Sequence, residues 1–384
     1  MRESIESLFH RNFAERGELG ASISIWKDGE EILLAHHGWR DRDQDVPWDS
    51  RTMVPVFSAT KGPAALTVLL ALHNTGVSMH AKVSEIWPEL TAAQNGLTYA
   101  QLLSHQSGLA ALSPENRSNI LNYSATREAL EKQTPFWEPG KAHGYHPRTI
   151  GFLWDEVVRR LTKAPSLGQY WNENIADKLR IDFRIGNLSI GMIDRLASMY
   201  PPRTQRPSEE ELPFYREIAK PDSLAAGAFS SPAGMRALSD INKLESLQAG
   251  LPALGGVGTA EGLAKFYQIL AQGGQMDQVQ VIPKPVVEAA RNVLTEGPDL
   301  TLQLTTAFTA GFMKDPLEPD GSKHRSIFGP SLSAFGQHGA GGSHSFADPE
   351  NGISFAYVMN QMETGILPNR KSLDLVEAVY AEFV

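Results

Sequence analysis

The sequence predicts an α/β protein of the α+β kind, with an antiparallel sheet built from both termini, helices on its faces and a mostly helical second domain. Three observations predict it. A helix followed by a hairpin opens the chain, a hairpin followed by a helix closes it, and the long interval between them carries helical periodicity.

The elements follow in order. Met1-Arg2-Glu3-Ser4-Ile5-Glu6-Ser7-Leu8-Phe9-His10 is charged and amphipathic and reads as a surface helix; it has no apolar core of the signal-peptide kind. Strands are expected around 21–27 and 31–37, joined by the turn pair Asp28-Gly29. An apolar run, Ala64-Ala65-Leu66-Thr67-Val68-Leu69-Leu70-Ala71-Leu72, reads as a core helix too short to span a bilayer. Further helices are expected over 97–105, stopped near Gly108, and over Thr149–Leu161. Residues 200–235 are rich in proline and polar side chains and read as a long loop or lid bordering a site. Gly342–Ala347 and Ile353–Met359 flank the turn Asp348-Pro349-Glu350-Asn351-Gly352, and a helix over about 372–383 ends the chain. On this reading residues 1–63 and 241–384 form the sheet-bearing domain, 64–240 the helical one with its lid-like loop, and the active site lies between them.

At 384 residues the chain has room for one large domain or two ordinary ones. The formal charge is −9 with no basic cluster, which argues against nucleic acid or an anionic membrane as partner. The chain has no cysteine, so disulfides, thiolate catalysis and cysteine metal sites are excluded. A cytoplasmic enzyme acting on a small molecule is expected; monomer and homo-oligomer both remain open.

The chemistry concentrates at Ser58-Ala59-Thr60-Lys61. If Ser58 opens the apolar helix, Lys61 lies one turn along on the same face. A serine hydroxyl becomes nucleophilic when a neighbouring base takes its proton, and a desolvated lysine at a helix start can be that base. The pattern is short, and Ser24-Ile25-Trp26-Lys27 also matches it. That second copy lies on an alternating strand, where positions three apart face opposite sides, so it cannot act as a pair. Tyr145, behind a glycine-bearing turn and before a helix, is the candidate proton shuttle; near an ammonium its pKa would fall. The alternative is an ordinary half-buried tyrosine. Gly336-Gln337-His338-Gly339-Ala340-Gly341-Gly342-Ser343 marks a place where backbone approaches something closely, either an oxyanion or nothing more than a hairpin entry.

Taken in order, Ser58–Lys61, Leu102-Leu103-Ser104-His105-Gln106-Ser107-Gly108-Leu109, Tyr145-His146-Pro147 with Thr149, Gly151 and Leu153, and Gly336–Ser343 resemble the serine β-lactamase-related proteins. The resemblance is closest to the family VIII carboxylesterases, whose fold is that of class C β-lactamases and D-alanyl-D-alanine peptidases, and it runs from about residue 15 to the C-terminus. Gly255-Gly256-Val257-Gly258-Thr259-Ala260-Glu261-Gly262-Leu263-Ala264 is similar to another family segment, read as structural. The resemblance implies a β-lactamase/transpeptidase-like fold, Ser58 as the acylated nucleophile, and Lys61 and Tyr145 sharing base and acid roles. It implies an oxyanion hole from the Ser58 and Ala340 N–H groups. Gln337-His338-Gly339 stands for the lactamase K-T-G triplet, with His338 the other candidate for the lysine position. His146 joins these as a substrate-binding group.

Two departures from the lactamase pattern steer the substrate. The third position of Y-x-N is Pro147, which has no side-chain amide, and the K-T-G lysine is Gln337 or a neutral His338. Hydrolysis of short to medium acyl carboxylic esters is therefore expected. A β-lactamase, an acyltransferase or a non-catalytic, filament-forming relative of the same fold are the alternatives. No H-E-x-x-H, Walker A, dinucleotide fingerprint or G-x-S-x-G occurs, so neither metal nor cofactor is expected.

Overall fold

The computed structural model describes residues 4–203, 206–235 and 237–384. Its strands are β1 (Gly20–Lys27), β2 (Glu30–Gly38), β3 (Val54–Pro55), β4 (Phe183–Ile185), β5 (Gly256–Gly258), β6 (Gln275–Met276), β7 (Val279–Gln280), β8 (Thr295–Pro298), β9 (Thr305–Phe308), β10 (Met313–Lys314), β11 (Phe335–His338), β12 (His344–Asp348) and β13 (Ile353–Met359). Eight of them form one sheet in the order β2-β1-β13-β12-β11-β10-β9-β8. Every neighbouring pair in it is antiparallel, and the seam between the chain's two ends is the β1–β13 register Ala21↔Met359 to Lys27↔Ile353.

Alternation along β1 explains why it is buried almost throughout although only every second residue is apolar. Ile23 and Ile25 lie opposite Tyr357 and Phe355, on the face where Phe9 of the helix Ile5–Glu15 meets the Tyr357 ring at 6.4 Å. Ser24 lies opposite Ala356 on the other face, where Ser354 Oγ donates to Ala264 O of the helix Ala260–Ala271 at 2.8 Å. Small side chains there let a helix settle close to the sheet. Both faces are thus covered, and the strand reads as continuous burial. The ends are further tied by the buried Glu18, which accepts from the Tyr357 phenol at 2.6 Å and pairs with Lys371 Nζ at 3.2 Å.

The helix Lys61–Asn74 is buried from its first residue to Leu72. A helix apolar on all sides belongs inside a core, and this one packs against the helices Thr149–Thr162, Leu167–Trp171 and Lys284–Arg291. Pro63 falls in its first turn, where a missing N–H costs nothing. Gly62 is required because a Cβ would sit 2.4 Å from the Tyr267 phenol oxygen.

Three expectations change in detail. The helix expected over 97–105 is shorter, Tyr99–Leu103; it starts on a Thr98/Gln101 capping box and ends where His105 takes φ +61. The stretch 200–235, expected as a loop, holds the helices Leu212–Ile218 and Leu224–Ser230, the second capped by Ser223 accepting from Ala226 N–H; residues 204 and 205 lie outside the described residues. The N-terminal helix starts at Ile5 behind the Ser4 cap, and residues 1–3 of the expected helix also lie outside the described residues.

A second sheet, β3-β5-β4, was not anticipated. It draws residues 183–185 of the otherwise helical middle stretch against segments from both sides of it. At its centre Gly256 runs so close to the Ser58 turn that a Cβ would meet the Phe183 ring at 2.4 Å and Thr60 Oγ1 at 2.6 Å. Gly256→Ala is therefore expected to cost about 1–3 kcal/mol through overpacking, read as a lower urea midpoint with an unchanged slope.

Candidate active site

Ser58 sits one tight turn earlier than a helix-opening position. The 3₁₀ turn Phe57–Thr60 leads into the helix that begins at Lys61. Residues three apart eclipse in a 3₁₀ turn, so this geometry aligns Ser58 and Lys61 closely, and Nζ stands 3.1 Å from Oγ. Phe57, just before Ser58, has φ +48, a conformation a bulky residue keeps only when its surroundings impose it. Thr60 Oγ1 imposes it by donating to Phe57 O at 2.5 Å while accepting from Gly256 N–H at 2.9 Å; Val56 N–H donates to Gly256 O at 3.0 Å.

Lys61 is fully buried, and burial alone holds its pKa well below the ordinary lysine value. Nζ also donates to Pro147 O at 3.1 Å and to Ala253 O at 2.8 Å. These contacts define the amine's orientation. With Lys61 uncharged, its two N–H bonds go to the carbonyls, which can only accept, and the lone pair is left facing the Ser58 hydroxyl. Burial lowers the pKa, and the two carbonyls aim the amine.

Tyr145 lies over this pair, its ring centroid 4.7 Å from Lys61 Nζ, stacked on Phe308 at 6.2 Å and tilted against His105 at 4.9 Å. Burial raises its pKa, a hydrogen bond with Ser58 opposes that, and the Asp299 charge adds to it. The expectation that an ammonium would lower the tyrosine's pKa is thus corrected: Tyr145 is desolvated and its neighbour amine is itself driven toward neutrality, so the phenol keeps its proton.

Asp299 is a residue that sequence reasoning missed. Its buried carboxylate accepts from Tyr145 N–H at 3.0 Å, from Thr301 and Leu302 N–H at 2.8 Å each and from Thr306 Oγ1 at 3.1 Å. Thr306 Oγ1 in turn accepts from His143 Nε2 at 3.0 Å, which leaves Nδ1 to accept from Thr295 Oγ1 at 2.9 Å. The β8–β9 turn therefore clamps the backbone that carries Tyr145. Gly-Pro-Asp-Leu-Thr at 297–301 is legible as a turn whose aspartate bonds the backbone two residues on; its distant partner, Tyr145, is not.

At β11 the alternation of the strand separates the expected substrate-binding groups. Gln337 is fully buried and donates from Nε2 to Gly311 O at 3.0 Å, so it does not face a substrate at all. His338 takes the opposite face beside Phe328; burial, with Arg325 and Lys61 nearby, pushes its pKa down to about 4, and among the described residues Nε2 has no hydrogen-bond partner. Gly339 comes so near the Ser58 turn that a Cβ would lie 2.1 Å from Val56 O, and Ala340, next along, lines the same pocket as Ser58. His146, expected with the substrate-binding groups, is fully buried as scaffold: Nδ1 donates to Gly144 O at 2.5 Å and Nε2 accepts from Ser107 Oγ at 2.8 Å. Burial lowers its pKa to about 3. The second S-x-x-K copy is inert, with Ser24 Oγ on Glu31 and Lys27 Nζ on Asn351 O.

The cavity beside Ser58 measures about 260 Å³. Apart from Ser58 and Arg148 its walls are apolar, with Phe57, Phe229, Met235, Leu238, Leu254 and Met362 prominent.

With this geometry in place, comparison with known proteins decides the family: the Beta-lactamase family model matches residues 5–377. The chain belongs to the beta-lactamase family. Within that family it is similar to the Esterase/beta-lactamase LipL of Mycobacterium tuberculosis, 30% identical over 349 residues that cover 89% of this chain and 77% of LipL. A penicillin-binding protein homolog from Caulobacter crescentus superposes with TM-score 0.85 at 32% identity, over 98% of this chain and 96% of that one. A family VIII carboxylesterase superposes with TM-score 0.84 at 30% identity, over 98% and 96%. The protein is a serine hydrolase of the beta-lactamase fold. Among the described residues no helix is long and apolar enough to cross a membrane.

Two outcomes are expected of this beta-lactamase-family site. Because Lys61 is a base only when uncharged, labelling of Ser58 by an alkyl fluorophosphonate will slow as pH falls through the depressed Lys61 pKa; a rate indifferent to acidification would remove Lys61 from the base role. Asp299→Ala strands three backbone N–H groups and is expected to cost about 3 kcal/mol in urea denaturation and to slow the same labelling.

Proposed function

We propose that the protein hydrolyses carboxylic esters of short to medium acyl chains through an acyl-enzyme on Ser58. The observation that carries this reading is the Lys61 amine, directed at Ser58 by two backbone carbonyls. Ser58 Oγ bonds to the ester carbonyl carbon as its proton passes to Lys61. The N–H groups of Ser58 and Ala340 receive the oxyanion. As the tetrahedral adduct collapses, the C–O bond to the alcohol breaks and the leaving oxygen takes a proton handed on from Lys61 through Tyr145. Water then enters by the reverse proton path and frees Ser58 and the acid.

The preference for esters rests on what the site lacks. Pro147 offers its carbonyl to Lys61 and has no side-chain amide for an acylamino carbonyl, and neither Gln337 nor a His338 of low pKa supplies a cation for a substrate carboxylate. The apolar cavity suits an alkyl chain, and its volume falls just below the roughly 300–1,000 Å³ of typical ligand pockets, in keeping with a small acyl group. The family VIII carboxylesterase and LipL names point the same way, LipL's name also including beta-lactamase.

Short-chain p-nitrophenyl ester turnover tests the reading. Ser58→Ala and Lys61→Ala are each expected to lower kcat at least about a thousandfold and Tyr145→Phe about a hundredfold, with circular-dichroism melts confirming a folded chain. Turnover surviving Ser58→Ala would sink the mechanism. Nitrocefin hydrolysis as efficient as ester turnover would move the substrate to β-lactams.

A further inference from the structure

The cavity beside Ser58 has a direction. Ser58 and Ala340 form part of its wall, whereas Lys61 and Tyr145 do not. A leaving alcohol must depart where its oxygen can be protonated, on the Tyr145 side. What remains bonded to Ser58, the acyl group, is then the part that enters the cavity.

One stretch of that wall is held in a conformation it would not keep unaided. Gly234 has φ +99 and Met235, which lines the cavity, has φ +46, in the region a side-chain-bearing residue adopts only when restrained. Ala233, within this stretch, pairs with the 118–120 segment, its N–H donating to Ser118 O at 2.6 Å and its carbonyl accepting from Ile120 N–H at 2.7 Å; the carbonyls on either side of it are held by the Arg148 guanidinium. Nη1 donates to Pro232 O at 3.0 Å and to Gly234 O at 2.8 Å, and Nη2 donates to Met235 O at 3.1 Å. A planar fork of fixed N–H directions can hold three carbonyls of one short segment in this way, and a point-like ammonium cannot. Arg148 directly follows Pro147, whose carbonyl receives Lys61 Nζ. One short segment therefore carries the phenol, the carbonyl that orients the base, and the clamp on the cavity wall.

We infer that Arg148 is a specificity-determining positioning residue: by fixing the 232–235 segment it keeps Met235 in the cavity wall and limits the length of the acyl chain. The inference rests on the esterase reading above, and it concerns which acyl groups fit, not how the bond is broken.

The test is the ratio of kcat/KM for p-nitrophenyl decanoate over butyrate in wild type, Arg148→Met, Arg148→Lys and Met235→Ala. Arg148→Met keeps an apolar stem and loses the fork, and is expected to raise the ratio by about tenfold, the discrimination one or two methylenes carry in an apolar pocket. Arg148→Lys should give an intermediate ratio, and Met235→Ala, which opens the wall directly, should move it in the same direction. A ratio unchanged in a folded Arg148→Met, or in Met235→Ala, overturns the inference; if Arg148→Met does not fold, Arg148→Lys and Met235→Ala decide. A shift seen when the alcohol is lengthened rather than the acyl chain overturns it too. Short- and long-alkyl fluorophosphonates, which need a reactive Ser58 but no ester turnover, read the same ratio, so a wild type inert on every ester defeats the esterase reading without silencing the test of Arg148.

Discussion

An amine buried among neutral partners sets the terms for the rest of this structure. A lysine ammonium inside a protein normally needs a carboxylate beside it, because losing its hydration costs several kcal/mol. Lys61 has a hydroxyl and two backbone carbonyls as its hydrogen-bond partners, and burial drives it toward the uncharged form. The fold must therefore provide an apolar helix to bury the stem and two carbonyls from distant segments to fix the head. It must also provide a tight turn to place the serine. A carboxylate in place of either carbonyl would favour the charged ammonium.

Those requirements explain why backbone rather than side chains dominates the surroundings of Ser58. Gly256 and Gly339 each bring a strand within a distance that a methyl group would forbid, one against Thr60 and Phe183, the other against Val56. Thr60 then bonds across to Gly256, which ties the Ser58 turn to the second sheet, while Gly339 brings the end of β11 against the same turn. Tyr145 is held by its own backbone through Asp299 and by aromatic contact with Phe308 and His105. A phenol fixed in this way needs no hydrogen bond from a charged group to keep its place.

Much of this was legible in the residues. The strands on either side of Asp28-Gly29 and Asp348–Gly352 follow from alternation and turn chemistry, and the burial of the helix after Lys61 follows from its lack of a polar face. Ser58 and Lys61 were legible because their spacing is local, and the decoy at Ser24 could be dismissed by the same local geometry. Contacts between distant segments escaped: Asp299 under Tyr145, Ala253 O on Lys61, and β4 pairing with β5 carry no signal in the residues near each partner. Gln337 and His146 were assigned by motif to the substrate. Strand alternation turns the first away, and two ring hydrogen bonds hold the second as scaffold.

The strand order of the main sheet bears on how the chain reaches this state. β1 lies between β2 and β13, and its register with β13 joins positions almost a full chain length apart, locked by Glu18, Tyr357 and Lys371. During synthesis the β1–β2 hairpin leaves the ribosome with one flank of β1 unpaired and its apolar faces uncovered, and it stays so until nearly all of the polypeptide has emerged. Such an edge is a template for pairing with another chain. The contact that completes the sheet thus joins residues from opposite ends of the chain, and until translation finishes the nascent hairpin must be kept from pairing elsewhere.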